Sequence, residues 1–89
     1  MKQLKHTKQF KKDLKKIQNN PKRIAAVKKA LYILKTAGSL PKEYLPHKLE
    51  GIYKGCMECH IEGDLLLIWF DPKNNIIKLI RLGTHSELF

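Results

Sequence analysis

Phe10, Leu14 and Ile17 recur at i, i+4 and i+7 with lysine at most positions between them, a spacing that predicts an amphipathic helix. Asn19-Asn20-Pro21 breaks the pattern. Asn20 has the side chain of an N-cap and Pro21 suits the first turn of a second helix, whose inward stripe is Ile24, Val27, Leu31 and Leu34. Gly38 is its expected stop. So brief a break predicts that the two helices pack as an antiparallel hairpin. Beyond Gly38 the period changes. Ser39 to Pro46 holds two prolines and reads as a loop, with His47 in its continuation before the sheet. Strand-like patterning begins near Tyr53 and gives Met57 to Ile61, Leu65 to Phe70 and Ile76 to Leu82; Asp71-Pro72-Lys73-Asn74-Asn75 forms the last turn. Leu65-Leu66-Leu67-Ile68-Trp69-Phe70 is apolar on both faces and is therefore expected at the centre of the sheet. Residues 2 to 6 are extended at best. The predicted architecture is α+β: one domain over residues 1–89, with an N-terminal helical hairpin packed on a small, mainly antiparallel β-sheet.

An apolar content of 43% is too high for a disordered tail, and 89 residues support one small core. No apolar run approaches the roughly 18 to 20 residues that span a bilayer, so no membrane association is expected. Met1-Lys2-Gln3-Leu4-Lys5-His6 leads into no hydrophobic stretch, so no secretory signal is read and the expected location is the cytoplasm. Charge changes the picture more. Residues 1–37 carry twelve Lys/Arg against one acid, Asp13, while residues 38–89 carry six against seven, which accounts for the net +10. A polycationic half beside a nearly neutral body suits capture of a nucleic-acid backbone, with binding that weakens steeply with salt.

The chemistry-bearing side chains gather in the second half. Cys56-Met57-Glu58-Cys59-His60 has the C-x-x-C-H spacing of covalent haem attachment, but it lies in a strand pattern with no export signal. A zinc site would need a second cysteine or histidine pair. Neither metal nor cofactor is expected; the thiols should be free, with Cys59 a small buried residue. His60 and Asp64 flank Ile61-Glu62-Gly63, and a turn at Gly63 would return Asp64 alongside the imidazole; a neighbouring carboxylate fixes a histidine's tautomer and favours proton transfer. Arg81 and His85 flank Leu82-Gly83-Thr84, where Gly83 would bend the chain after the last strand. Imidazole serves as acid or base near neutrality, and guanidinium matches phosphate oxygens. Phe89 offers a face on which a base can stack.

These residues resemble a known family. Pro46-His47-Lys48-Leu49-Glu50-Gly51, Tyr53-Lys54-Gly55, Glu58-Cys59-His60-Ile61-Glu62-Gly63-Asp64 and Arg81-Leu82-Gly83-Thr84-His85-Ser86-Glu87-Leu88-Phe89 look like the signature of the YafQ branch of RelE-type bacterial toxins. The resemblance covers essentially the whole chain. It implies a metal-independent endoribonuclease that cuts messenger RNA, typically in the ribosomal A site. It also implies a toxin–antitoxin operon whose acidic antitoxin blocks the toxin and binds operator DNA, the toxin reaching DNA only through that complex. The positions implied as catalytic are His47, His60, Asp64, Arg81 and His85, with Phe89, Lys54 and Glu58 as substrate-binding. Two positions depart from the pattern: Leu65 follows the aspartate where some relatives have an aromatic residue, and Gly63 replaces a common proline. RNA supplies its own nucleophile, the 2′-hydroxyl. The expected chemistry therefore gives Arg81 the phosphorane charge and His60, oriented by Asp64, and His85 the acid and base roles, with His47 positioning the substrate. The alternative is a non-catalytic member of the fold that blocks translation by occupancy.

Overall fold

The computed structural model describes residues 1–89. In chain order it contains β1 (Gln3–His6), α1 (Lys8–Lys16), α2 (Pro21–Ala37), β2 (His47–Lys48), β3 (Met57–Glu62), β4 (Leu65–Phe70), β5 (Ile76–Thr84) and α3 (His85–Leu88). The five strands form one sheet in the order β1-β5-β4-β3-β2. Every neighbouring pair is antiparallel except β1 with β5, which runs parallel.

The helix signals act as their chemistry requires. The Thr7 side chain accepts the Phe10 amide to start α1, and the Asn20 side chain accepts the Arg23 amide to start α2 with Pro21 at its head. Gly38 ends α2 in the left-handed conformation, φ 78°, at little cost to a residue without Cβ. Phe10, Val27 and Leu34 are buried as the stripes predict; Ala30 joins them, while Ile24, Leu31, Leu14 and Ile17 are half-buried. Three predictions change. Residues 3–6 form a true edge strand, held parallel to β5. His47 lies in strand β2, opposite Glu58, rather than in a loop. The last strand runs on to Thr84, so Gly83 does not bend it.

Two apolar clusters lie on opposite sides of the sheet, and β4 serves both. Leu65, Leu67 and Trp69 meet Phe10, Val27, Ala30 and Leu34 on the helical side. Leu66 and Ile68 meet Leu88 of α3 on the other, with Leu49, Tyr53, Cys56 and Ile80 around them. A bulge opposite Ile68/Trp69 adds Ile80 as an unpaired residue in β5. Strict alternation from Ile77 and Leu79 would send Arg81 into the helical core; the extra residue turns Ile80 and Arg81 outward and lets Leu82 face the helices. That single irregularity puts an arginine on the open face.

Candidate functional site

Directly opposed residues of neighbouring strands project to the same face. His47 of β2, Glu58 of β3, Ile68 of β4 and Arg81 of β5 form one such row. His60, Leu66 and Gly83 form the next. Both rows lie on the face away from α1 and α2, where Ile68 and Leu66 are buried beneath Leu88 and its neighbours between the polar groups. Glu58 and Arg81 are thus two strand spacings apart, about 10 Å. The face carries polar groups on two sides and a hydrophobic strip between.

On the β3 side, His47 Nε2 lies 3.0 Å from Glu58 Oε1. Its Nδ1 lies 2.8 Å from the Leu45 carbonyl oxygen, which can only accept, so Nδ1 carries a proton. Glu58 is buried, and its Oε2 has no hydrogen-bond partner. His60 is exposed, with its ring centroid 6.5 Å from that of His47.

On the β5 side, Arg81 Nε donates to Asp13 Oδ2 at 2.8 Å and Nη2 to Asp13 Oδ1 at 3.3 Å. Nη1 donates to the Tyr53 hydroxyl at 3.3 Å, and that hydroxyl donates to the Leu88 carbonyl at 3.0 Å. Burial alone would push the Asp13 carboxyl up. The hydrogen bonds from Arg81, the Leu82 amide and Gln9 outweigh it and hold the group below the usual aspartate range. The same pair raises the Arg81 guanidinium. Beyond Thr84 a capping box fixes α3: the Thr84 amide donates to Glu87 Oε1 at 2.7 Å and the Glu87 amide to Thr84 Oγ1 at 3.4 Å. His85 is the first residue of α3, and its ring stands 4.9 Å from that of Phe89, which meets Tyr53 edge-on at 5.3 Å. Gly83 permits this docking, because a Cβ there would lie 3.0 Å from Glu87 Oε1 and 3.2 Å from Leu88 Cδ2. Phe89 is half-exposed rather than absorbed into the core.

One expected pairing is absent. Asp64 does not stand beside His60; its Oδ1 accepts from Arg23 Nη2 of α2 at 2.8 Å, and Glu62 lies 3.9 Å from the same guanidinium. Gly63 does turn, φ 57°, but Ile61 is bulged out of register, so the returning strand carries Asp64 toward α2. Asp13 and Arg23 lie outside the motifs, and Tyr53 lies within one that gave it no role. For Asp13 a signal existed: the only acid in residues 1–37 sits on the Phe10-Leu14-Ile17 face of its helix.

The C-x-x-C-H residues do not converge. Cys59 faces the helical core and His60 the opposite side. Burial, with the charge of Glu58 beside it, pushes the Cys59 thiol up to about 12, and burial also raises Cys56. Thiolate is the reactive form, so neither cysteine should react appreciably with a disulfide reagent at pH 7.5 until denaturant is added. Rapid labelling of Cys59 in the folded protein would contradict this.

The family model for the bacterial toxin of type II toxin-antitoxin systems, YafQ, matches residues 2–89, and the chain belongs to that family. Among curated relatives, the mRNA interferase toxin YafQ of Escherichia coli (strain K12) is 33% identical over 82 residues, covering 91% of this chain and 88% of its own. The crystal structure of YafQ from E. coli strain BL21(DE3) superimposes with a TM-score of 0.87 at 29% identity, covering 100% of this chain and 99% of that one. YafQ in the E. coli DinJ-YafQ complex gives 0.86 at 30% identity with the same coverage. No helix is long and apolar enough to cross a membrane.

Proposed function

We propose that this toxin is a metal-independent endoribonuclease acting on messenger RNA engaged by the ribosome, and that the open sheet face is its active site. The observation that carries this reading is that His47, Glu58 and His60 from β2 and β3, and Arg81, His85 and Phe89 from β5 and α3, gather around the buried Leu66, Ile68 and Leu88 cluster on the sheet side opposite α1 and α2. The ribose 2′-oxygen attacks phosphorus while a histidine takes its proton. Arg81 holds the charge on the non-bridging oxygens. A second histidine protonates the departing 5′-oxygen, leaving a 2′,3′-cyclic phosphate and a 5′-hydroxyl. His60 and His85 divide these roles, and His47, held by Glu58 and the Leu45 carbonyl, positions the substrate beside His60. Phe89 stacks on a base, and Lys54 contacts the backbone. Asp64, engaged with Arg23, contributes through the shape of the β3–β4 turn. The outward lysines of α1 and α2 supply the surface for ribosomal RNA or for an acidic antitoxin, as DinJ is bound by YafQ in E. coli.

The test is cleavage of a translated message in the presence of EDTA, with and without ribosomes. Wild type should produce fragments with 5′-hydroxyl ends, and His85→Ala should slow the reaction by about 10² to 10⁴. Translation that stops over an intact message would replace this reading with one of occupancy. Activity abolished by EDTA would place a metal in the reaction.

A further inference from the structure

We infer that Asp13, a residue of the basic helix and not of the open face, is the positioning residue for Arg81. This rests on the reading of Arg81 as the group that holds the phosphate. The Asp13 side chain is 1% exposed and its two oxygens accept four hydrogen bonds. Oδ2 takes Arg81 Nε at 2.8 Å and the Leu82 amide at 2.9 Å; Oδ1 takes Gln9 Nε2 at 3.1 Å and Arg81 Nη2 at 3.3 Å. The location has a topological cause. β1 pairs with β5 only as far as Leu79, so beyond it one edge of β5 is open, and α1 lays a carboxylate on it. By binding the Leu82 amide and the guanidinium together, Asp13 references the side chain to the backbone of its own strand. Tyr53 fixes a third N–H.

A guanidinium has five N–H donors. Three are held by Asp13 and Tyr53, and those that remain, one on each terminal nitrogen, are left for oxygens of the substrate phosphate. The charge of Arg81 is largely balanced by its partner. What it offers substrate is direction more than net charge, which favours the transition state over the bound ground state.

Asp13→Asn tests this, because it preserves shape and removes the charge. We expect kcat to fall about 10- to 100-fold, as for a misplaced catalytic group. The affinity for a substrate with a 2′-deoxyribose at the cut should not change. In an Arg81→Ala background, Asp13→Asn should cost nothing further; a purely structural role would cost the same in both backgrounds and would lower the antitoxin-titratable fraction instead. Unchanged kcat in folded Asp13→Asn overturns the inference and leaves the function intact, whereas an unaffected Arg81→Ala overturns the reading of Arg81 itself. Should Asp13→Asn not fold, wild type still decides. Arg23 and Arg81 are the only arginines. The Arg81 Nε–H should exchange slowly with solvent in a nitrogen-15 spectrum and that of Arg23 rapidly. Equal, fast exchange would mean that no anchor exists.

Discussion

Arg81→Ala should lower the cleavage rate about 10²- to 10³-fold, the usual cost of removing one donor to a developing oxyanion. It should also destabilise the fold, by about 3 kcal/mol at pH 7, because it strands a buried carboxylate. That is the lower end for a broken buried pair, since the Leu82 amide and Gln9 still serve Asp13. The two losses separate with pH. In wild type the folded-state pKa of Asp13 is depressed, so its contribution is complete above the ordinary aspartate range and lost as pH falls through the lower folded value. In the variant, burial acts without the guanidinium. Protonation then relieves the buried charge, and the stability gap between the two proteins should narrow as pH falls from 7 toward 4. Urea midpoints across that range check it; a constant gap would mean that Asp13 and Arg81 are not coupled.

Phe10→Ala should cost about 3 to 5 kcal/mol, the range for deleting a fully buried aromatic side chain. Domains of this kind hold about 5 to 15 kcal/mol in all, so a large share is at stake. Phe10 is the main apolar anchor of α1, supported by the Thr7 hydroxyl, which donates to the Leu79 carbonyl at 2.7 Å. Because Asp13 lies one turn further along the same helix, loosening α1 should slow cleavage as well as lower the urea midpoint. A midpoint shift under a tenth of the wild-type value, with an unchanged m-value, would show that α1 is held by something else.

The helices were legible because Phe10, Leu14 and Ile17 mark a face and because Asn20, Pro21 and Gly38 act through local chemistry that needs no tertiary context. β4 was legible because only a strand covered on both sides is apolar throughout. β1 was not: Gln3-Leu4-Lys5-His6 offers one apolar residue, and its pairing with β5 closes across more than seventy residues of chain. Of the candidate site, the residues near the open face were legible from motif chemistry, but their partners were not. The spacing of His60 and Asp64 suggested a pair, and the register shift at Ile61 sends the carboxylate to Arg23 instead. Asp13 looks like one acid among lysines until the open edge of β5 is in view.

The two-faced strand β4 has a consequence for how this toxin can be switched off. Leu66 and Ile68 underlie the candidate site, while Leu65, Leu67 and Trp69 seal the helical core, on one six-residue segment. That segment therefore cannot breathe open as a separate unit; loosening it costs the whole fold. On the proposed reading a partner silences the molecule by covering the candidate site, by occupying the lysines of α1 and α2, or by shifting the rim, where α3, β2 and the side chain of Arg81 are held by a few hydrogen bonds each.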